Sequence, residues 1–252
     1  FKIYLFISTG ASMKFEMIIN YLIKFTVNCL VLLISINSFA GNRPGFVCGQ
    51  FNKNIIEVPG EYVFPFAEYE GYSYFDPRFI ENKKGCEANF RVLPMRMSWS
   101  DLKPSNEVSN DVKIIEVYAE PLKGNPEKYL SYRKHVYLDM GYLKRKGELY
   151  YDEELDLYFT EVTVTIRRSI GHKDDMYFNK KGYYWKEINN EVVFLIECEW
   201  LPIDEKYHKC FQYFLIPEIG TKVKFYFDAK ELSNSNIMRE KIRIFLLDHV
   251  KN

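Results

Sequence analysis

The sequence lacks an excess of either charge. It has 34 Lys and Arg residues and 34 Asp and Glu residues. Residues 1–40 contain three lysines and one glutamate, so residues 41–252 carry a net charge of about −2. Proteins that bind nucleic acid present a basic surface to the phosphates. The balance therefore argues against nucleic acid as the main partner of this chain.

The sequence also lacks the short motifs that carry common enzyme chemistry. It contains no G-x-S-x-G elbow, no H-E-x-x-H helix, no phosphate-binding G-x-x-x-x-G-K-[ST] loop and no G-x-G-x-x-G fingerprint. Its four histidines, His135, His172, His208 and His249, are scattered along the chain. We therefore predict a chain that is not an enzyme and has no catalytic residue and no cofactor. The alternative is a hydrolase with a dispersed site, whose carboxylates would have to face each other across a cleft.

Cysteine is scarce, with five residues in the chain, and Cys29 lies inside an apolar N-terminal run. Four cysteines in an exported chain are typical of two disulfides, although three connectivities are possible. We favour Cys48–Cys86 and Cys198–Cys210, because these pairs close the smaller loops. The alternative use of Cys198 and Cys210 is a metal site with Glu197 and His208. The C-x₂-C spacing of structural zinc sites is missing, so we predict no metal.

The N-terminal run is the longest apolar stretch and extends from Met17 to Ala40. Lys24 precedes its most apolar part, and Ser38-Phe39-Ala40 provides the small residues of an A-x-A-like cleavage site. The pattern predicts a secretory signal helix in residues 1–40, cleaved between Ala40 and Gly41, and a periplasmic protein that is soluble after cleavage. The alternative is a membrane anchor, which Lys24 and Asn28 interrupt. No lipobox precedes Cys29 or Cys48, so we expect no lipid anchor.

Aromatic residues make up 17% of the chain, a composition that favours β structure. Val162, Val164 and Ile166 alternate with polar residues, as in a half-buried strand. Asn189-Asn190 is typical of a two-residue hairpin turn. Further strands are expected at Asn54–Val58, Ala88–Trp99, Val112–Tyr118, Met176–Phe178, Tyr183–Ile188, Val192–Trp200, Cys210–Ile216 and Lys222–Phe227, with a loop at Gly41–Gln50 and a turn at Asn179–Gly182.

The last part of the chain changes to a helical period. Met238, Ile242, Phe245, Leu246 and His249 share one face of a helix. A shorter helix is expected at residues 125–133, with Pro126 in its first position. We predict an α+β fold in residues 41–252, mainly an antiparallel β meander with the C-terminal helix packed on the sheet. We expect one globular β-rich domain, with a possible internal boundary near residues 100–110.

An acidic and aromatic stretch at Glu148–Phe159 is the candidate partner-binding segment. Carboxylates beside rigid rings could contact a basic protein, since charge steers association and aromatic side chains supply binding energy. The alternative is a hairpin with a charged, solvated tip. The candidate residues are Tyr150, Tyr151, Asp152, Glu153, Glu154 and Asp156.

Several short segments resemble those of a known group of proteins. They are Ile-Glu-Val-Pro-Gly-Glu-Tyr at 56–62, Glu-Tyr-Glu-Gly at 68–71, Gly85-Cys86, and Trp-Ser-Asp-Leu-Lys-Pro at 99–104. This arrangement is similar to small Gram-negative exported proteins, the periplasmic immunity proteins of type VI secretion effectors. The resemblance implies a binding protein that neutralises a secreted antibacterial toxin by protein–protein contact. It assigns no functional residue. A periplasmic hydrolase and an envelope structural or adhesin subunit are the alternatives.

Overall fold

The computed structural model describes residues 43–105, 113–138, 145–146, 148–170 and 173–251. The signal segment predicted at residues 1–40, with Cys29, lies outside these residues, as do His172 and residues 106–110 of the boundary expected near residues 100–110. The signal peptide and the domain division therefore stay predictions.

In the described part of the chain, twelve strands form two antiparallel sheets. A two-stranded sheet pairs β1 with β2, and a ten-stranded sheet has the order β3-β4-β5-β12-β11-β10-β9-β8-β6, with β7 also paired to β8. The mainly antiparallel α+β fold expected from the sequence is confirmed. The strands are β1 (Phe46–Phe51), β2 (Asn54–Pro59), β3 (Glu68–Tyr69), β4 (Phe90–Ser98), β5 (Ile114–Pro121), β6 (Arg145–Lys146), β7 (Tyr150–Asp152), β8 (Leu157–Ile170), β9 (Lys173–Ile188), β10 (Glu191–Leu201), β11 (Lys206–Ile216) and β12 (Thr221–Asp228).

Helices cover both faces of the large sheet. Helix α1 (Pro126–Leu138) packs on one face, where Leu130 lies in a cluster with Trp185 and Leu195. Helix α2 (Ser235–Asp248) packs on the other face through fully buried Met238, Ile242 and Leu246. The C-terminal helix therefore lies on the sheet, as its periodicity predicts. Helix α1 begins at the predicted Pro126 but continues to Leu138, because Leu138 is buried in the same cluster as Leu130.

The region Gly41–Gln50 was expected to be a loop, and this is wrong for its second half. Strand β1 begins at Phe46 and pairs with β2 through a turn at Asn52 and Lys53, both with positive φ. Fully buried Phe51 contacts Phe90, with ring centroids 5.2 Å apart. The strand forms because its apolar residues meet a core built by distant segments.

The turn expected at Asn179–Gly182 is also wrong. Strand β9 runs without a break from Lys173 to Ile188 and pairs with β8 from Lys173 to Trp185. Gly182 lies within the strand, and a Cβ there would come within 2.9 Å of the Tyr207 ring. The glycine therefore allows the close approach of an aromatic ring and does not mark a turn. The hairpin expected at Asn189-Asn190 is present, and both residues have positive φ, at 52° and 65°.

Candidate functional site

Several large and exposed apolar side chains lie close together in the segment Tyr72–Glu81, which we call the aromatic loop. Phe75 is 91% exposed and Ile80 is 81% exposed, while Tyr74 and the flanking Phe64 are each 54% exposed. Large apolar side chains so close together and so open to solvent are unusual on a protein surface and are typical of an interaction site. The aromatic loop is therefore the strongest candidate contact surface among the described residues.

The rings of the aromatic loop pack against one another and against Phe66, which precedes the loop in the sequence. Phe66, Tyr74 and Phe79 form a triangle, with ring centroids 5.1 Å apart for Phe66 and Tyr74, 6.0 Å for Phe66 and Phe79, and 5.6 Å for Tyr74 and Phe79. Phe75 packs edge-on against Tyr74, at 5.5 Å. Rings packed in this way keep fewer rotamers before a partner arrives, which lowers the entropy cost of binding.

A single buried side chain closes the aromatic loop. Asn82 is 8% exposed, accepts a hydrogen bond from the Tyr72 backbone N–H at 2.7 Å and donates one to the Tyr72 carbonyl at 2.8 Å. Gly71 has φ +130°, and a Cβ there would overlap the Asn82 side chain. The loop therefore needs glycine at 71 for its backbone angle and for the space that Asn82 occupies.

Cations surround the aromatic surface. The Arg78 guanidinium lies 4.0 Å from the centre of the Tyr72 ring and pairs with Asp76 at 2.8 Å. The Arg96 guanidinium lies 4.9 Å from the Phe64 ring. Asp76 also accepts a hydrogen bond from the Arg78 backbone N–H, which caps the 3₁₀ helix Pro77–Glu81. Aromatic and arginine side chains dominate the binding energy of many protein interfaces.

The cysteine pairs expected from spacing are close enough to bond. The sulfurs of Cys48 and Cys86 are 2.09 Å apart, and those of Cys198 and Cys210 are 1.97 Å apart. The first pair lies at the base of the aromatic loop, where the Tyr69 hydroxyl donates to the Cys48 carbonyl at 2.8 Å. Burial raises the pKa of Tyr69 above its ordinary value.

The cysteine sulfurs are not available as metal ligands while they are bonded to each other. Glu57 lies near Cys48 and Cys86. Its carboxylate pairs with Arg43 at 2.9 Å and with Lys251 at 3.2 Å. At the second pair, the Glu197 carboxylate pairs with Lys181, while His208 Nδ1 lies 3.1 Å from the Glu199 carbonyl. The groups that the sequence offers for metal binding thus have partners within the protein.

The predicted acidic segment forms one hairpin of β7 and β8, so all six candidate residues lie together. The Tyr150 hydroxyl donates to Glu148 at 2.7 Å, and the Tyr151 hydroxyl donates to Asp156. Asp156 also pairs with Lys186 at 2.5 Å, and the hydrogen bond from Lys186 holds the pKa of this carboxyl below its usual range. Glu153 and Glu154 are exposed at the tip. A role for this hairpin in partner binding stays a prediction.

Two cavities contain the groups that a dispersed hydrolase site would need. A cavity of about 490 Å³ is lined by Glu70 and Glu120, and another of about 280 Å³ is lined by Glu116 and His208. Glu70 lies 3.3 Å from Lys123, and Glu120 lies 2.7 Å from Lys222. A hydrogen bond from Asn89, together with Lys123, lowers the pKa of Glu70. A carboxyl that stays ionised suits electrostatic binding better than proton donation.

The aromatic loop was not identified as a site from the sequence. Its composition is visible, with Tyr72, Tyr74, Phe75 and Phe79 close together after Gly71. Most rings of this chain were expected in the core and in cross-strand pairs, and alternation cannot mark exposed rings in an irregular segment. Only the density of aromatic residues around Gly71 and Pro77, outside any strand pattern, could have indicated the loop.

Within the described part of the chain, no helix has the length and apolar character needed to cross a membrane.

Comparison with known proteins identifies a structural relative. No protein-family model matches the chain, and no curated protein matches it. The fold is similar to that of Smlt3025, an immunity protein of the Stenotrophomonas maltophilia type IV secretion system. The TM-score is 0.54 at 11% identity, over 82% of this chain and 94% of that one. The iron-regulated outer membrane lipoprotein FrpD of Neisseria meningitidis matches with a TM-score of 0.42 at 11% identity, over 82% of this chain and 93% of that one. The chain thus has a fold like that of an immunity protein.

Proposed function

We propose that this chain is an exported immunity protein that neutralises a secreted antibacterial toxin by protein–protein contact, with no catalysis of its own. The observation that carries the proposal is the aromatic loop, whose Phe75 and Ile80 are exposed on a segment closed by Asn82. Such side chains gain most when a partner removes them from water. The loop would supply the apolar centre of the interface.

The fold supports an immunity role. The similar structure is an immunity protein of a type IV secretion system, whereas the sequence resemblance is to immunity proteins of type VI effectors. Both describe immunity proteins of secretion systems, which supports a secreted toxin as the partner proposed for this chain. The assignment to type VI rests on the sequence resemblance, and an effector of either system is a candidate partner.

The periplasm is the proposed compartment. The predicted signal peptide would export the chain, and two disulfides form and persist in an oxidising compartment. A protein that meets its toxin there would have to fold after export. The pair Cys48–Cys86 would hold the base of the aromatic loop in the folded protein.

A protection assay tests the proposal. The exported chain is co-expressed with a periplasm-directed effector encoded beside its gene, and survival is compared with that of cells lacking the chain. We expect protection by the wild type and its loss in Phe75→Asp/Ile80→Asp. Ile203→Asp is the matched control, because Ile203 is also 91% exposed but lies between β10 and β11. Equal killing with and without the wild-type chain would overturn the immunity role. Full protection by the loop variant would remove the aromatic loop from the interface.

The alternative of a hydrolase is favoured by the cavity that holds Glu70 and Glu120. The same assay separates it from the immunity role. A catalytic antidote would lose protection in Glu70→Gln/Glu120→Gln, whereas a protein that only binds its toxin through the aromatic loop would keep it.

A further inference from the structure

A second surface lies on the face of the large sheet that carries α1, beside the helix, and it is basic. Lys209 of β11 and Lys224 of β12 both hold their ammonium groups 4.4 Å from the centre of the Tyr226 ring. Lys224 also lies 4.7 Å from the Phe211 ring. The Phe211 and Tyr226 rings pack edge-on at 4.5 Å. The two ammonium groups therefore lie over the same pair of rings, Phe211 and Tyr226, which we call the aromatic platform.

These two cations have no carboxylate partner within 4 Å among the described residues. Glu199 of β10 lies opposite Lys209 in the strand register but forms no ion pair with it within 4 Å. Two further acidic groups near the two lysines have other partners. Glu116 pairs with Arg96 at 3.6 Å and accepts from the Tyr118 hydroxyl at 3.3 Å. Asp228, which faces Lys209 across the strand pair, accepts from the Lys230 backbone N–H. Two like charges on one platform repel each other, and an anion bound between them would relieve this repulsion.

The platform belongs to a longer groove that follows β12. Cavities of about 280, 210 and 490 Å³ lie along it, and the last two share Glu120, Tyr129 and Lys222. Seven cationic and four acidic side chains line the three cavities, in a chain that is neutral as a whole. The groove ends beside the aromatic loop, at Gly71. We call this surface the basic groove.

We propose that the basic groove binds an acidic segment of a protein partner in an extended conformation. Strand β12 has eight residues, which corresponds to roughly 26 Å at about 3.3 Å per residue, so the groove matches an extended segment of similar length. Carboxylates of the segment pair with Lys209 and Lys224, and its apolar side chains contact Tyr226 and Phe211. The four acidic side chains of the groove disfavour a densely charged polyanion, because each would oppose a phosphate.

The test uses the mature chain and fluorescein-labelled octapeptides of alternating Glu and Leu, or Lys and Leu. We expect the acidic peptide to bind with an affinity that falls as salt is added, and the basic peptide not to bind. Lys209→Gln/Lys224→Gln should weaken binding about tenfold or more, and Lys209→Arg/Lys224→Arg should retain it. Lys53→Gln/Lys103→Gln is the control. It removes the same charge from two exposed lysines outside the cavities and should change affinity less than about twofold.

Several outcomes would overturn the inference. They are no binding of the acidic peptide at millimolar concentration, equal binding by Lys209→Gln/Lys224→Gln, and tighter lysine-dependent binding to phosphatidylglycerol vesicles or polyphosphate. Self-association that Glu153→Gln/Glu154→Gln abolishes would assign the groove to a second copy of the chain. Thermal unfolding of every variant checks that the fold is retained. The peptide assay needs no toxin, so its result is independent of the immunity role.

Discussion

Asn82 and Tyr72 exchange two hydrogen bonds, one from the Tyr72 backbone N–H at 2.7 Å and one to its carbonyl at 2.8 Å. The side-chain amide thereby satisfies both backbone groups of a residue ten positions earlier and fixes the start of the aromatic loop. We therefore expect this buried side chain to contribute to the orientation of Phe75 and Ile80.

Replacing Asn82 should loosen the aromatic loop. Asn82→Ala removes both hydrogen bonds and should cost about 1–3 kcal/mol of the free energy of unfolding. Backbone hydrogen exchange should become faster from Tyr72 to Glu81 and stay unchanged in β11. Asn89→Ala is the control, since that exposed amide only donates to the exposed Glu70 carboxylate. Unchanged exchange in the loop of Asn82→Ala would show that the ring packing alone holds it.

The two disulfides should differ in their contribution to stability. Cys48 and Cys86 are separated by 38 positions, and Cys198 and Cys210 by 12. In the chain-entropy model, removing the first pair by double alanine substitution should cost about 4 kcal/mol, and removing the second about 3 kcal/mol. Urea unfolding of both double variants measures this. A wild-type midpoint that does not move when reductant is added would contradict the prediction.

Acid should weaken the contacts of Glu231, whose carboxylate joins the start of β5 to the segment before α2. It pairs with Lys113, accepts from Trp99 Nε1 at 3.1 Å and accepts from Asn234 at 2.8 Å. The hydrogen bond from Lys113 and, to a smaller extent, the one from Asn234 lower the pKa of Glu231 below its ordinary value of 4.5. The stabilisation is therefore complete above pH 4.5 and is lost as the pH falls through the lower pKa of the folded state.

Glu231→Gln tests this dependence. The variant should lose about 1–3 kcal/mol at neutral pH, and its stability should fall less steeply below pH 4.5 than that of the wild type. Glu153→Gln, at the exposed tip of the acidic hairpin, should follow the wild-type curve. Denaturant unfolding across a pH series gives both comparisons. Parallel curves for the wild type and Glu231→Gln would contradict the prediction.

Alkaline pH should destabilise the protein through Tyr184. Its ring stacks on Phe159 at 4.5 Å, and burial raises its pKa to about 12, with Asp152 and Glu161 adding to the shift. A raised pKa in the folded state means that the stabilisation is complete below the ordinary value of 10.0 and is lost as the pH rises to about 12. Tyr184→Phe should therefore lose less stability over this interval than the wild type. Tyr132→Phe, on a residue that is 64% exposed, should match the wild type.

Much of the architecture could be predicted because it follows local periodicity. The alternation at Val162–Ile166 predicted a strand, which the structure shows as part of β8. The spacing of Met238, Ile242 and Leu246 predicted the face of α2 that is buried. Asn189-Asn190 turned the chain as expected, because asparagine accepts positive φ. The cysteine pairs followed from spacing, since the smaller loops are the less costly to close.

The errors share one cause, which is contact between distant segments. Gly182 resembles a turn residue, but it lies in a strand where the ring of Tyr207 needs its space. Residues 46–50 fall in the segment Gly41–Gln50 that was expected to be a loop, but they belong to a strand that ends at Phe51, whose ring packs against Phe90. The candidate site was missed for the same reason. The exposure of Phe75 is set by the three-dimensional course of the segment from Tyr72 to Asn82, which the sequence pattern does not show.

The sequence alone determined the β-rich class, the amphipathic C-terminal helix and the cysteine pairs that come together. These features depend on residues close in the chain or on a repeated spacing. Tertiary structure alone decided which rings face solvent and which cations gather on one surface. Lys209 and Lys224 meet only because β11 and β12 pair in a register that brings both ammonium groups to Tyr226. That register is fixed by burial of the opposite face of the sheet. Residues close in the sequence supply only part of this buried face, and distant segments supply the rest.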